Sequence, residues 1–264
     1  MVRLIVVTTL ALSVSGLFAQ APAPRPHFDA FEVATIKPAA PNEKASRYIT
    51  MQGTDRFVEK YYTLKLLIAA AYDVSPRVIS GGPAWVDSDH YDILAVTPGE
   101  VRPTREEQMA MLRSLIADRF KLKLHREPKE FSIYQLEVAK AGPRLKLSTA
   151  SADDPARLIS VVYPKFIRLP ARNATMHDLA SVMQRAIFDR PVVDKTGLSG
   201  RYDFDLQWAS DETQFGGELP AAPADTPSPP LFIAMKEQLG LQLEATRGLA
   251  DAVIIDTVER PSEN

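Results

Sequence analysis

Asp87, Asp89, Asp92, Asp203 and Asp205 offer the most direct chemistry in the chain, all near the ends of expected strands. Two carboxyl groups facing across a groove can divide general-acid and general-base work, the arrangement glycoside hydrolysis uses. Aspartates in such places also cap turns, which is their ordinary use. Trp85, Tyr91, Tyr202 and Trp208 stand close by and can line a groove, although aromatics beside β-turns more often belong to a core. Trp85, Tyr91, Arg201, Tyr202 and Asp203 form the candidate ligand-binding set, and no residue is given a catalytic role. The four histidines, His27, His90, His125 and His177, include no close pair at metal-ligand spacing and no His-Glu-x-x-His. His125, between Leu124 and Arg126, reads as an outward strand residue. The chain has no cysteine, so thiolate nucleophiles, disulfides and Cys-bound metals are excluded. No metal or other cofactor is expected.

Three loop motifs are tested and set aside. Asp194-Lys195-Thr196-Gly197 matches the start of the phosphorylated loop of cation-pumping ATPases, but Leu198 follows where that chemistry needs Thr. Lys195-Thr196-Gly197 also occurs in penicillin-recognising serine enzymes, yet no Ser in the chain has Lys three residues on. Gly197-Leu198-Ser199-Gly200-Arg201 is no nucleophile elbow, because Arg201 stands at the second glycine position. Two glycines closing a tight turn account for this segment, and at least one of them should hold positive φ.

The elements that carry these residues follow one theme, a helix and then two strands. Phe31–Ile36 reads as an opening strand. Thr63 can cap a helix over residues 64–72, with Leu64, Leu67, Ile68 and Ala71 on one face. Val78-Ile79-Ser80 and Tyr91–Val96 read as strands. Thr104-Arg105-Glu106-Glu107 is a capping box opening a helix with Met111, Leu112, Leu115 and Ile116 inward. Lys121–Arg126 is expected to pair with Phe131–Val138 as a hairpin. In the second half Thr175 caps a helix, Val192-Val193 and Tyr202–Trp208 are strands, and Ser228 with Pro229 and Pro230 starts a helix that Gly240 ends. Leu241–Leu243 and Val253–Ile255 are the last strands. Thr175 follows Thr63 by 112 residues (175 − 63) and Tyr202 follows Tyr91 by 111 (202 − 91), which points to internal duplication. The offset then changes across residues 209–230, a Pro-rich stretch expected to be a mobile insertion.

With 264 residues, 45% hydrophobic and 24% charged, the chain can bury a sizeable core. A net charge of −2 supplies no field that would steer it to nucleic acid. Arg3, the apolar run Leu4–Leu17 and the small residue Ala19 read as a signal peptide over residues 1–19. Residues 20–30 are a flexible lead-in. Export to the periplasm or medium is therefore expected, with no stable membrane span after cleavage.

Phe31–Pro38, Ile79–Asp89, Leu115–Leu122, Arg190–Phe204, Glu237–Leu241 and Glu259–Ser262 together resemble the "soil-associated" exported proteins expanded in acidobacteria, which consist of a domain of unknown function. The likeness covers nearly the whole mature chain. Related domains occur as extracytoplasmic parts of antirepressor-type membrane metallopeptidase sensors. The resemblance implies a sensing or binding module and brings no catalytic residues.

The expected fold is α+β: two pseudo-repeated lobes, residues 31–150 and 151–264, each with helices packed on one face of an antiparallel sheet. The expected function is a non-enzymatic extracytoplasmic binding or interaction module whose partner is an unknown ligand or envelope protein. The alternatives are a carboxylate-based hydrolase acting on envelope or environmental polymers, and a structural envelope protein.

Overall fold

The computed structural model describes residues 26–40, 47–151, 154–217 and 219–261. The expected signal peptide and its cleavage point lie outside the described residues. In chain order the elements are β1 (Val33–Pro38), β2 (Tyr48–Gln52), β3 (Arg56–Thr63), α1 (Leu64–Tyr72), β4 (Ile79–Gly81), α2 (Trp85–Ser88), β5 (His90–Val96), α3 (Arg105–Arg119) and β6 (Lys123–Val138). There follow β7 (Lys146–Leu147), β8 (Arg157–Leu158), β9 (Val161–Val162), β10 (Ile167–Ala174), α4 (Met176–Val182), β11 (Val192–Asp194), β12 (Tyr202–Trp208), α5 (Leu231–Ala234) and β13 (Leu241–Thr257).

The fold is α+β, and its local signals act as the sequence leads one to expect. The Thr63 hydroxyl accepts from Leu66 N and starts α1. Thr104 and Glu107 complete both bonds of a capping box on α3, and Thr175 and Asp178 do the same on α4. Each such cap contributes about 1 kcal/mol. Gly240 ends the turn after α5 in the left-handed region at φ +65°. Nothing but glycine fits there, since a Cβ would lie 2.1 Å from Gly142 O.

Three sheets organise the chain. The first runs β1-β5-β3-β2, the second β7-β12-β10-β8 with β9 also on β10, and both are antiparallel. The third runs β11-β6-β13-β4 and joins the two halves. Its centre is one long antiparallel ladder of β6 on β13, from Lys123↔Thr257 to Val138↔Leu241.

The expected hairpin of Lys121–Arg126 with Phe131–Val138 does not form. Both segments belong to the single strand β6, and Leu241–Leu243 and Val253–Ile255 likewise merge into β13. Pro128, between the two segments, sits opposite Asp251 where β6 has no strand on its other side among the described residues. A missing N–H is tolerated at such an edge. The short strands also take other partners than expected: β4 pairs in parallel with β13, and β11 in parallel with β6.

Because of these crossovers each half closes the core of the other. Val253 and Ile255 of β13 sit in the first core with Phe57, Leu67, Ile68 and Phe120. Leu136 of β6 sits in the second with Leu169, Met183 and Trp208. Truncating any of these large buried side chains to Ala would destabilise the fold by about 2–5 kcal/mol.

Residues 209–230 are tied to the second half at both ends. Trp208 Nε1 donates to buried Gln214 Oε1 at 2.8 Å, Ala209 bridges to Pro230, and Gln207 Nε2 donates to buried Ser228 Oγ at 3.0 Å. Between them, Ala222 N donates to Ser210 O and Lys165 pairs with Asp225. Proline supplies few donors here, so side chains make many of the ties.

Candidate functional site

The polar face of α4 and the turn after it directs the junction between the halves. His177, Ser181 and Arg185 follow at intervals of four and so share one side of the helix. Opposite them is Asp73, which ends α1 in the left-handed region at φ +53°. Its Oδ1 accepts from the Ser181 hydroxyl and pairs with Arg185 Nε at 2.9 Å, while Oδ2 lies 3.3 Å from His177 Nε2. Gln184 Nε2 donates to Asp73 O at 3.0 Å. One carboxylate thus locks the end of a first-half helix to a second-half helix.

Beside this lock is a cleft of about 520 Å³ whose walls come from both halves. Tyr72, Asp73, His177, Asp194, Arg126 and Asp251 supply its aromatic and charged lining. Arg126 donates to Tyr72 O at 3.2 Å, lies over the Tyr72 ring and approaches Asp251 at 3.6 Å. Asp194 Oδ1 accepts from Thr196 N and Oγ1 at 2.9 and 2.8 Å. The Asp194-Lys195-Thr196-Gly197 segment is therefore a self-bonded turn that presents one wall of the cleft, with Gly197 at φ +68°. No three His, Asp or Glu residues among the described ones gather to hold a metal.

None of the five candidate residues lines this cleft, and they fall into two separate places. Trp85 stacks on Phe120 and is covered by the Arg260 guanidinium at 5.1 Å, and buried Tyr91 meets Phe120 edge-on. Tyr202 is buried in the second core. Arg201 and Asp203 brace the backbone at Asn173: Arg201 Nη1 donates to its carbonyl at 3.0 Å, and Asp203 Oδ1 accepts from its N–H at 2.9 Å. The Asn173 N–H, with Ser148, holds the Asp203 carboxyl below its ordinary range. His125 faces outward and bonds Asp256. Sequence reasoning passed over Asp73, Ser181 and Arg185. The one signal, for Ser181 and Arg185 alone, was their four-residue spacing with His177; Asp73, at the end of α1, gave none.

A different carboxyl is strongly perturbed. Glu59 is fully buried in β3, where its Oε1 accepts from Tyr62 N at 3.0 Å and Oε2 has no partner. Burial, with neighbouring Asp92 adding to it, pushes its pKa up to about 9. Glu59 is therefore neutral at pH 7.

Fold and cleft define an α+β protein of two interlocked halves with an open cleft of about 520 Å³ walled by both. The chain belongs to the family described as "Protein of unknown function (DUF3738)", which it matches over residues 65–258. Neither a curated protein nor a solved structure matches it. No helix among the described residues is long and apolar enough to cross a membrane.

Proposed function

We propose that this protein is an exported, non-enzymatic binding module whose ligand sits in the cleft between its halves, and that the halves arose by duplication. The observation that carries the binding reading is the cleft itself, about 520 Å³ and walled by both halves. That volume lies within the roughly 300–1,000 Å³ usual for small-molecule sites. Its charged groups are held in place by hydrogen bonds and so are ready to orient a polar ligand. A hydrolase is less well served. Asp73 spends both oxygens on Ser181, Arg185 and His177. The one carboxyl raised far enough to act as an acid, Glu59, is enclosed in a sheet. Export rests on Arg3, the apolar run Leu4–Leu17 and Ala19, together with the resemblance to exported soil-associated and sensor-linked domains. The partner is then a ligand or protein of the cell envelope or medium.

The test is a thermal-shift screen of the secreted protein against sugars, peptides, metals and muropeptides. A ligand at about 100 times its Kd should add roughly 2.7 kcal/mol of stability. His177→Ala, at an exposed wall position, should abolish that shift and lower the unliganded melting temperature only slightly, since its pair with Asp73 is largely solvent-exposed. A shift that survives both His177→Ala and Arg126→Ala would place the ligand elsewhere. N-terminal sequencing of the exported chain tests cleavage near Ala19.

A further inference from the structure

The second sheet ends on a strand whose outer side is open. β8 and β9 pair with β10 in one register, for 157 + 172 and 162 + 167 both give 329. Residues 157–162 are therefore one edge strand, whose ladder lapses at Ile159 and Ser160. Ile159 comes opposite Pro170, which has no N–H to donate. Apart from β10 these residues have no strand neighbour, and they make no other backbone hydrogen bond among the described residues. Their apolar side chains stand in solvent. Ile159 is 72% exposed, Val162 53%, Val161 40% and Tyr163, which follows, 41%.

Open sheet edges attract other strands, and proteins blunt them with Lys, Pro or inward charge. β1, an edge of the first sheet, ends on Lys37 and Pro38, and the stretch of β6 without an outer neighbour carries Lys123, Pro128 and Lys129. Leu158–Tyr163 has no charge, no proline and no glycine, and Ile159, Val161, Val162 and Tyr163 are all strong strand formers. A lipid surface would cover these side chains but leave the edge N–H and C=O groups unpaired, whereas another strand pairs them. The segment also complements itself. In an antiparallel pairing of two copies centred on Ser160, Ile159 meets Val161 of the second copy and Leu158 meets its Val162. One step further out, Arg157 comes opposite Tyr163 of the second copy. That ring is already fixed by stacking on Phe166 with centres 4.6 Å apart, so each cation has an aromatic neighbour and no like charge. Centring on Ile159 or Val161 instead would set the Ser160 hydroxyl against Leu158 or Val162.

We propose that residues 157–163 form the seam of a twofold homodimer, in which the second sheets of two copies join edge to edge in antiparallel register about Ser160. The contact is isologous, each patch meeting its own copy. A single strand pair buries less than the roughly 1,200 Å² of a standard interface, so the association is weak and depends on concentration. The dimer rests on the sheet edge and is independent of the cleft.

The experiment is sedimentation velocity of the whole mature protein over a concentration series reaching about 1 mM. A reversible monomer–dimer equilibrium is expected. Ile159→Glu and Val161→Lys should each weaken it about tenfold or more, because each sets an unpaired charge against an apolar side chain. Both variants should melt close to wild type, since the two positions are exposed. An equimolar mixture of the two should regain the association, since the introduced Glu and Lys then face each other across the seam. Arg157→Ala should weaken the dimer less than either. The proposal is overturned if the protein stays monomeric throughout the series, which would leave the edge to an extended segment of another protein. It is equally overturned if both variants associate as wild type does, or if their mixture associates no better than each alone, since the copies would then meet elsewhere or in another register.

Discussion

The ends of β3 and β10 carry the same backbone device supported by different side chains. In each strand the ladder breaks, at Glu59/Tyr62 and at Ala171/Ala174, and a non-glycine residue takes positive φ, Tyr61 at +60° and Asn173 at +52°. In each, an aspartate near the start of the neighbouring strand accepts the N–H of that residue, Asp92 for Tyr61 and Asp203 for Asn173, at 3.0 and 2.9 Å. A helix capped by Thr63 or Thr175 then begins. The supports differ. Tyr61 stacks on His90 with ring centres 4.1 Å apart, whereas Asn173 donates its side chain to Ser151 O and Asp154 O and receives Arg201 on its carbonyl. Only the first bulge has a buried carboxyl, for Ala171 stands where Glu59 does. A bulge that aims a helix can thus be held by a protonated acid in one half and by ordinary amide bonds in the other.

The largest difference should be a pH slope confined to the first half. Glu59 has a folded pKa of about 9 against an ordinary 4.5. Between those values the folded state binds more protons than the unfolded one, so stability falls as pH rises through that window and levels off above it. Glu59→Gln keeps an acceptor for Tyr62 N and removes the ionisation. It should therefore be more stable than wild type at pH 8 by about 2–4 kcal/mol and nearly equal at pH 5. Urea unfolding at both values measures this. Equal pH profiles for the two proteins would show that Glu59 is not held neutral. Asp203 has the opposite sign: its lowered pKa makes a contribution that is present above the ordinary aspartate range and lost as pH falls through the folded value.

Exchanging the positive-φ residues should have a smaller and unequal effect. Asn173→Tyr gives up two side-chain bonds to Ser151 O and Asp154 O in a buried position and should destabilise by about 1–3 kcal/mol. Tyr61→Asn puts a residue that tolerates left-handed backbone at φ +60° and loses only the His90 stack, so it should change stability by less than about 1 kcal/mol. Thermal melts of the two single variants decide it. Equal losses would mean that the bulges are supported alike.

What was legible in the chain was local. The threonine caps, the glycine stop at Gly240 and the Tyr-Asp pairs declare themselves within a few residues, because capping and turn chemistry is short-ranged. The β6–β13 ladder joins residues such as Arg126 and Val253, and the parallel pairings of β4 and β11 cross between halves. Hydrophobic periodicity gives a strand its faces but not its partner. The cleft was hidden for the same reason: Asp73 meets Ser181, 108 positions away. The family match over residues 65–258 begins inside α1 and so leaves out β3 with Glu59 and Tyr61. The second bulge is therefore within the matched region and the first mostly outside it.

The turn after β11 offers the finest contrast, between two glycines three residues apart. Gly197 has φ +68° and open space where a Cβ would go; Gly200 has no positive φ, but its Cβ would lie 2.7 Å from the Tyr202 hydroxyl and 3.1 Å from Leu147. The first is needed for backbone conformation and the second for a close approach. Gly197→Ala should lose the left-handed term alone, about 1–2 kcal/mol, whatever its surroundings. Gly200→Ala should be smaller only if the end of the Tyr202 ring, now 2.7–2.8 Å from the added Cβ, swings away on its side chain. The loss at Gly200 should then fall only in part in Gly200→Ala, Tyr202→Phe relative to Tyr202→Phe alone, because the hydroxyl at 2.7 Å is gone while the ring Cζ at 2.8 Å stays, whereas the loss at Gly197 should be unchanged in the Tyr202→Phe background. Six melting curves complete the two cycles. A Gly197 loss that also shrinks with Tyr202→Phe would show that one contact, and not two separate requirements, keeps both glycines.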